Sequence, residues 1–154
     1  MGNMLFITMR FDIMCSMGKK SRSKSNPGQV IIPAGHPNPP EPHEVDVAYI
    51  LAHHYHEIIK FLIPIDDFKR KSADIVMLGV EWEIKCPRGE SKSTIGNQFR
   101  FASKQSKNII IDTRLTKLDY KSIENRVHFE IKKRPVIKKV ILIDKFDKII
   151  EIQK

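Results

Sequence analysis

The sequence predicts an α/β fold of the α+β kind, a mixed β-sheet flanked by helices in the order α-β-β-α-β-α-β-β. Two short apolar runs that flank Leu78-Gly79 are typical of a tight β-hairpin. Two continuous apolar runs, at 108–112 and 138–144, are typical of buried strands. Segments with helical spacing precede and separate these strands, and this alternation predicts helices packed against a mixed sheet.

Composition narrows the class of protein. The chain has 154 residues, of which 41% are apolar, enough for one soluble domain with its own core. No apolar run is long enough to cross a bilayer, so we expect no membrane partner. Residues 1–17 do not have the order of a signal peptide, because the basic stretch follows the apolar one, and Met17 is a second candidate for the initiator. Cys15 and Cys86 make no disulfide framework, which favours a cytoplasmic setting.

The N-terminal segment at 1–43 has a stretch rich in Gly, Ser, Lys and Pro, and we expect a disordered or extended basic and proline-rich tail there. The folded domain is expected at 44–154. Apolar residues at helical spacing predict its first helix over 44–62, and Pro64 ends that helix. Glu57 lies at the edge of the apolar stripe of this helix, which is unusual for a carboxylate.

Three histidines, His53, His54 and His56, lie in the same predicted helix. Adjacent positions diverge around a helix, so only His53 could share a face with Glu57, at i and i+4. We therefore interpret the three as surface or satisfied core histidines rather than as a metal cluster.

The predicted hairpin carries three chemically informative residues, Asp74, Glu83 and Lys85. Side chains alternate along a strand, so Glu83 and Lys85 share one face, and the first arm can bring Asp74 beside them. Burying such charges in otherwise apolar arms is costly unless they are paired or bind a metal. Two carboxylates and an ammonium suit a hard divalent cation and a water to be activated, although exposed hairpins also carry such charges routinely.

The arms of the hairpin are predicted at 72–77 and 80–86, with Trp82 in the core on the opposite face from the charged residues. Five more elements follow along the chain: a helix over 93–106 capped by Ser93, a strand at 108–112, a helix over 120–134, a strand at 138–144 and an edge strand at 149–152.

Charge is distributed unevenly along the chain. Residues 1–84 carry 9 Lys and Arg against 10 Asp and Glu, a net charge of −1, whereas residues 85–154 carry 18 against 8, a net charge of +10. A half this basic suits a polyanionic partner, and a merely solvated lysine-rich surface is the alternative. The expected contacts to nucleic-acid phosphates come from Arg88, Lys92, Arg100 and Lys104.

The order of these residues resembles the PD-(D/E)XK nuclease superfamily, whose motif is an Asp followed by Glu-x-Lys. Here the motif is Asp74 with Glu83-Ile84-Lys85, and Ala73 stands where the pattern has Pro. A closer resemblance, over about residues 44–145, is to the C-terminal tRNA nuclease domains of contact-dependent growth-inhibition (CdiA-type) toxins. The strings that carry it are Ala73-Asp-Ile-Val, Trp82-Glu-Ile-Lys85 and Lys104-Gln-Ser106 before Asn108-Ile-Ile-Ile-Asp112.

The resemblance implies a restriction-endonuclease-like core and a role for each matching residue. Asp74 and Glu83 would ligate Mg²⁺ or Mn²⁺, and Glu57 would hold a second cation or a water beside the metal. Lys85 would orient or deprotonate the attacking water and stabilise charge on the phosphorane. Gln105 would lie beside the site.

The expected function is that of a metal-dependent endonuclease that hydrolyses phosphodiester bonds of structured RNA, with tRNA as the substrate that the resemblance implies. No aromatic platform for stacking on RNA bases is evident, and Phe99, Phe101 and Tyr120 are the nearby candidates, so the preference for tRNA rests on the resemblance. DNA is the competing substrate, and a non-catalytic nucleic-acid-binding module is the alternative from another class. Toxin domains of this kind travel with an immunity protein, which is a candidate partner.

Overall fold

The computed structural model describes residues 27–64 and 72–153, and it has the mixed α/β architecture that the sequence predicts. Its elements, in chain order, are β1 Gln29–Ile31, α1 Pro42–Tyr55, β2 Ile58–Phe61, β3 Ile75–Met77, β4 Val80–Lys85, α2 Lys92–Ala102, β5 Asn108–Asp112, α3 Tyr120–Lys133, β6 Lys139–Ile143 and β7 Ile149–Gln153.

The seven strands of the described chain form one sheet in which each strand lies beside its neighbours in sequence. The pairs β1–β2, β4–β5 and β5–β6 are parallel. The pairs β2–β3, β3–β4 and β6–β7 are antiparallel. Parallel neighbours need a crossover connection, and α1, α2 and α3 supply the three crossovers. The last strand, β7, lies at an edge, as predicted.

The hairpin between β3 and β4 is confirmed. Met77 pairs with Val80, so Leu78 and Gly79 form a two-residue connection. Both have positive φ, 54° and 71°, which is the mirror-image turn that matches the twist of paired strands. Glycine adopts this conformation without strain, whereas Leu78 does so at some steric cost.

Helices cover both faces of the sheet. α1 packs on one face, and α2 with α3 packs on the other. The strand β5 shows the division, because Ile110 belongs to the α1 cluster whereas Ile109 and Ile111 belong to the α2–α3 cluster. This two-sided burial explains the continuous apolar run of β5. Trp82 lies in the α1 cluster, as predicted, so its neighbour Glu83 faces the side of α2.

The predicted helix over 44–62 is wrong in its second half. α1 ends at Tyr55, because His56 adopts a left-handed conformation with φ of 55°. The segment Ile58–Phe61 forms β2, in which burial alternates from residue to residue. Its apolar residues continue the helical spacing of α1 in the sequence, which explains the wrong prediction. In the structure they belong to a strand that has one face packed on the core.

The predicted tail at 1–43 is shorter than expected. Gln29–Ile31 form β1 and pair in parallel with β2, and Val30 is buried in the α1 cluster. The segment at 32–41 then leads into α1, which begins at Pro42. The part of the tail prediction that concerns residues 1–26 lies outside the described residues.

The remaining elements follow the sequence closely. β5 has its predicted bounds, and α3, β6 and β7 lie within one residue of theirs. α2 is capped by Ser91 rather than Ser93, since the Ser91 hydroxyl accepts a hydrogen bond from the Ser93 amide at 3.2 Å, and the helix ends at Ala102. Among the described helices, none is long and apolar enough to cross a membrane.

Candidate active site

Two carboxylates meet at one end of the hairpin. Asp74 immediately precedes β3, and the register that pairs Ile75 with Trp82 brings it beside Glu83 of β4. The Asp74 backbone is fixed on both sides, because its amide donates to the Trp82 carbonyl at 3.1 Å and its carbonyl accepts from the Leu62 amide at 2.9 Å. The predicted convergence of Asp74 and Glu83 is therefore a direct result of strand pairing.

Glu83 is the most deeply buried acid of this group, with 1% of its surface exposed. Its Oε1 atom accepts hydrogen bonds from Lys85 Nζ and, at 2.5 Å, from Gln105 Nε2. Its Oε2 atom is buried and accepts from no donor group among the described residues, and the Asp74 carboxyl group lies within hydrogen-bonding reach of Glu83. Burial, followed by the nearby charge of Asp74, raises the pKa of Glu83 to about 8, and the Lys85 ammonium opposes this rise.

The cost of burying the Asp74 charge is partly offset by its neighbours. Burial raises the pKa of its carboxyl group, whereas a hydrogen bond from the Ile84 amide at 2.7 Å and the charge of Lys85 lower it. The Ile84 bond fixes the orientation of the carboxylate toward β4. A buried carboxylate, Glu83, whose charge is made more costly by a neighbouring acid, Asp74, is a site at which a cation gains free energy on binding.

Lys85 and Gln105 complete the predicted group. Lys85 ends β4 two residues after Glu83, on the same face, and its ammonium donates to Glu83. Gln105 lies in the turn after α2 and reaches Glu83 from the neighbouring layer. Both side chains lie at this end of the sheet, where the prediction placed them.

Glu57 does not belong to this group, and the prediction that it would is wrong in geometry. It is exposed and lies between α1 and β2, not on a helix. The residue that follows β2, Leu62, is hydrogen-bonded to Asp74. Glu57 lies five residues before Leu62, which corresponds to about 16 Å along an extended strand at about 3.3 Å per residue. Glu57 therefore lies toward the hairpin-turn end of the sheet, away from the acids.

Glu44, which the sequence analysis did not select, is the helical acid at the site. It is the third residue of α1 and forms a capping box with Glu41, whose amide donates to the Glu44 carboxylate at 3.0 Å. Burial raises the pKa of Glu44, and the charge of Asp74 raises it further, whereas His43 and Lys85 lower it. The signal in the sequence is Glu41-Pro-His-Glu44, a helix start whose acid lies in the first turn.

A cleft of about 540 Å³ opens beside the acids. Asp74, Gln105 and Glu44 lie on its wall, opposite a proline-rich segment at 37–40. His36 anchors that segment, since its Nε2 lies 2.9 Å from the Leu62 carbonyl oxygen. The cleft gives an extended substrate access to Asp74, beside which strand pairing places Glu83.

The predicted phosphate-binding residues occupy the surface around and beyond the site. Arg88, Lys92, Arg100 and Lys104 are all exposed. Lys92 opens α2 and Arg100 lies in its last turn, so the four span the length of one helix and its flanking loops.

The three aromatic candidates differ in exposure. Phe99 is fully buried in the α2–α3 cluster and is therefore no candidate for stacking on a base. Phe101 and Tyr120 are 51% and 42% exposed. Phe129 on α3, which the sequence analysis did not select, is 52% exposed. The three histidines His53, His54 and His56 are exposed, and within the described chain they form no metal cluster.

The residues present suit a divalent cation that keeps several waters. Across 27–64 and 72–153, no three His, Cys, Asp or Glu side chains converge closely enough to hold an ion. Mg²⁺ is commonly bound by one or two carboxylates, and substrate phosphate oxygens and water fill its other positions. The unpartnered Glu83 Oε2 atom beside Asp74 fits that pattern.

Comparison with known proteins gives two matches. Residues 71–149 match the family model described as the contact-dependent growth inhibition CdiA C-terminal domain. The structure is similar to a chain of a CdiA-CT/CdiI toxin and immunity complex from Burkholderia pseudomallei, with a TM-score of 0.59 and 20% sequence identity. That similarity covers 82% of this chain and 100% of the other. No curated protein matches the sequence.

Proposed function

This chain belongs to the contact-dependent growth inhibition CdiA C-terminal domain family, and from that premise we propose that it is a toxin-type, metal-dependent endonuclease of the PD-(D/E)XK kind. The observation that carries the proposal is the pair Asp74 and Glu83, held side by side by strand pairing with Lys85 bonded to Glu83. Asp74, the motif residue that precedes β3, lines a cleft of about 540 Å³, a volume in the range of small-ligand sites.

Asp74 and Glu83 would hold Mg²⁺ or Mn²⁺. The bound ion would supply Lewis acidity and charge neutralisation for phosphodiester hydrolysis. The Ile84 amide keeps the Asp74 carboxylate in place for this task, and Gln105 fixes Glu83 by occupying its other oxygen. Preorganised ligands of this kind bind an ion without having to reorganise first.

Lys85 is positioned to act on the water and on the phosphate. With a cation on the two carboxylates, its ammonium is free to turn from Glu83 toward the attacking water or a non-bridging phosphate oxygen. Water would attack phosphorus and lose one proton to the solvent, the bond to the leaving oxygen would break, and that oxygen would take up one proton from the solvent. Glu44 on α1 lines the same cleft as Asp74, and its role in the proposal is to orient a water across the site.

The substrate that we propose is structured RNA, with tRNA as the first candidate. The net charge of +10 in residues 85–154 suits RNA and DNA equally, so the choice of tRNA is supported by the resemblance to tRNA nuclease domains in the strings around Asp74, Glu83 and Gln105. A solved structure of similar fold is described as a toxin and immunity complex, so we also propose an immunity protein as a partner of this chain. The free thiol of Cys86 is compatible with action in a reducing cytoplasm.

Cleavage of total tRNA by the purified chain tests the proposal. We expect Mg²⁺-dependent cleavage that Asp74→Asn, Glu83→Gln and Lys85→Gln each lower by about 10²-fold or more. Glu81→Gln is the matched control, because Glu81 is an exposed acid on the same strand. Duplex DNA of equal nucleotide concentration belongs in the same assay.

Two results would overturn this mechanism. Cleavage that persists in EDTA would remove the metal, and 2′,3′-cyclic phosphate ends would indicate attack by the RNA's own hydroxyl instead of water. Tight RNA binding without cleavage by the wild-type chain would favour the non-catalytic binding module.

A further inference from the structure

A second surface of the molecule combines exposed aromatic rings with cations. Phe101 at the end of α2 and Phe129 on α3 are 51% and 52% exposed. The Arg100 guanidinium lies 4.7 Å from the centre of the Phe101 ring. The Arg126 guanidinium and the Lys133 ammonium lie 5.1 Å and 5.8 Å from the centre of the Phe129 ring. We call this surface, with the neighbouring Arg134, the α2–α3 face.

Two cations of the α2–α3 face, Arg126 and Arg134, form ion pairs with one buried acid. Glu130 on α3 is fully buried and ion-paired with both Arg126, at 2.6 Å, and Arg134. Gly96 on α2 makes room for this group, because a Cβ atom at that position would lie 2.3 Å from Arg126 Nη2 and 2.9 Å from Glu130 Oε1. Two of the arginines, Arg126 and Arg134, are therefore held against α3 by ion pairs with Glu130.

Positive charge on this face exceeds the negative charge that faces it. In the part of the chain that the structure describes, Glu130 is the carboxylate that forms ion pairs with the face, and it serves two arginines. Burial, followed by the repulsion of Arg126 and Arg100, lowers the pKa of Arg134. Cations held this close cost free energy in the isolated protein, and an anionic partner offsets that cost.

We propose that the α2–α3 face binds unpaired nucleotides of the substrate, with bases stacked on Phe101 and Phe129 and phosphates bound by the surrounding cations. Aromatic rings and guanidinium planes both stack on bases that have left a helix, whereas bases inside a duplex are covered by their neighbours. The inference rests on the proposed function and deepens it. It selects RNA with loops or single-stranded segments over uninterrupted duplex.

Exposure alone does not distinguish the α2–α3 face from other surface rings. Phe146, in the turn between β6 and β7, is 89% exposed, more than either Phe101 or Phe129. Among the described residues, no cation lies over its ring as Arg100 and Arg126 do over theirs. Phe146 is thus a matched control, an exposed phenylalanine outside the α2–α3 face.

Binding without cleavage isolates the inference from the chemistry. The full chain is titrated in EDTA against two labelled probes, an RNA hairpin with an unpaired loop and a blunt RNA duplex of the same length. We expect Phe101→Leu and Phe129→Leu each to weaken hairpin binding by about tenfold and to leave duplex binding nearly unchanged. Arg100→Gln and Lys133→Gln should each reduce the dependence of log K on log salt concentration by nearly one unit.

Two control variants, Phe146→Leu and Lys145→Gln, should bind both probes as the wild type does. All six substituted side chains are exposed, and unchanged circular dichroism and melting temperature verify that each variant is folded. Hairpin binding unchanged in the two α2–α3 phenylalanine variants would overturn the inference and assign the face to another partner, such as an acidic protein. Equal loss for hairpin and duplex would also overturn it, because stacking on unpaired bases predicts a difference.

The two proposals fail separately. If the wild-type chain cleaves RNA and the phenylalanine variants bind and cleave as it does, the nuclease proposal stands and the α2–α3 face is not the binding surface. If the wild-type chain binds the hairpin through Phe101 and Phe129 without cleaving it, the binding surface stands and the nuclease proposal falls.

Discussion

At the scale of single residues, Glu83 has the least favourable environment for its charge within the candidate site. A carboxylate that is 1% exposed, with a second acid beside it, gives up solvation that one lysine and one glutamine only partly replace. Glu83 Oε2 is buried and accepts no hydrogen bond from a donor group among the described residues, and the neighbouring side chain is a second acid, Asp74. Its environment is better suited to binding a cation than to stabilising the fold.

This environment predicts an unusual pH dependence of stability. The pKa of Glu83 rises from 4.5 to about 8 in the folded, metal-free chain, so the folded state binds more protons than the unfolded state between these values. The free energy of unfolding should therefore fall as the pH rises from about 4.5 to about 8. Asp74 and Glu44, whose pKa values are also raised, act in the same direction.

Thermal melts in EDTA measure this effect. The wild-type chain should melt at a lower temperature near the upper end of that pH range than near its lower end. Glu83→Gln should flatten the dependence, and saturating Mg²⁺ should raise the melting temperature most at the higher pH. A melting temperature that rises with pH in EDTA and is indifferent to Glu83→Gln would contradict the assignment.

The structure has Glu44, and not Glu57, as the helical acid near Asp74, and this difference gives a second prediction about single residues. Glu44 interacts with Asp74 and Lys85, whereas Glu57 is exposed and lies at the far end of β2. Glu44→Gln should lower the cleavage rate by about tenfold, a typical effect for a group that orients a reactant. Glu57→Gln should leave the rate unchanged, and the opposite ranking in the same assay would restore the original sequence prediction.

At the scale of elements, β1 and β2 show where sequence patterns lose information. The turn residues Leu78-Gly79 and the unbroken apolar run of β5 both have strong local signals, and both elements are where the sequence predicts them. β2 has no such signal, since its start depends on a left-handed His56 and its apolar residues keep the helical spacing of α1. β1 has only three residues and depends on pairing with β2.

The close approach of the residue before β1 to the last turn of α1 makes Gly28 a sensitive position. Gly28 has φ of +80°, and a Cβ atom there would lie 2.1 Å from the Ala52 carbonyl oxygen. Gly28→Ala should lower the free energy of unfolding by about 3 kcal/mol or more, because the obstacle is backbone that cannot move aside. Gly35→Ala is the control: its φ is +82° but nothing lies within 4 Å, so we expect a loss of about 1 kcal/mol. Equal losses in urea unfolding would contradict the predicted contact between β1 and α1.

At the scale of the whole molecule, the fold brings the residues of the candidate site together from segments that are far apart in the sequence. The hairpin supplies Asp74, Glu83 and Lys85, and its local register made them predictable from the sequence. Gln105 came from the resemblance, and it reaches Glu83 from the turn that follows α2. Glu44 was not predictable from local pattern, because only tertiary packing places the start of α1 beside Asp74.

The metal dependence of RNA cleavage tests the central claim most directly. The wild-type chain is treated with EDTA, and the rate of tRNA cleavage is measured as Mg²⁺ is restored, alongside Asp74→Asn. We predict no cleavage without the ion, saturable recovery in the wild type, and recovery at least about 10²-fold weaker in the variant. Cleavage by the wild-type chain at the full rate in EDTA, or equal recovery by Asp74→Asn, would contradict the account.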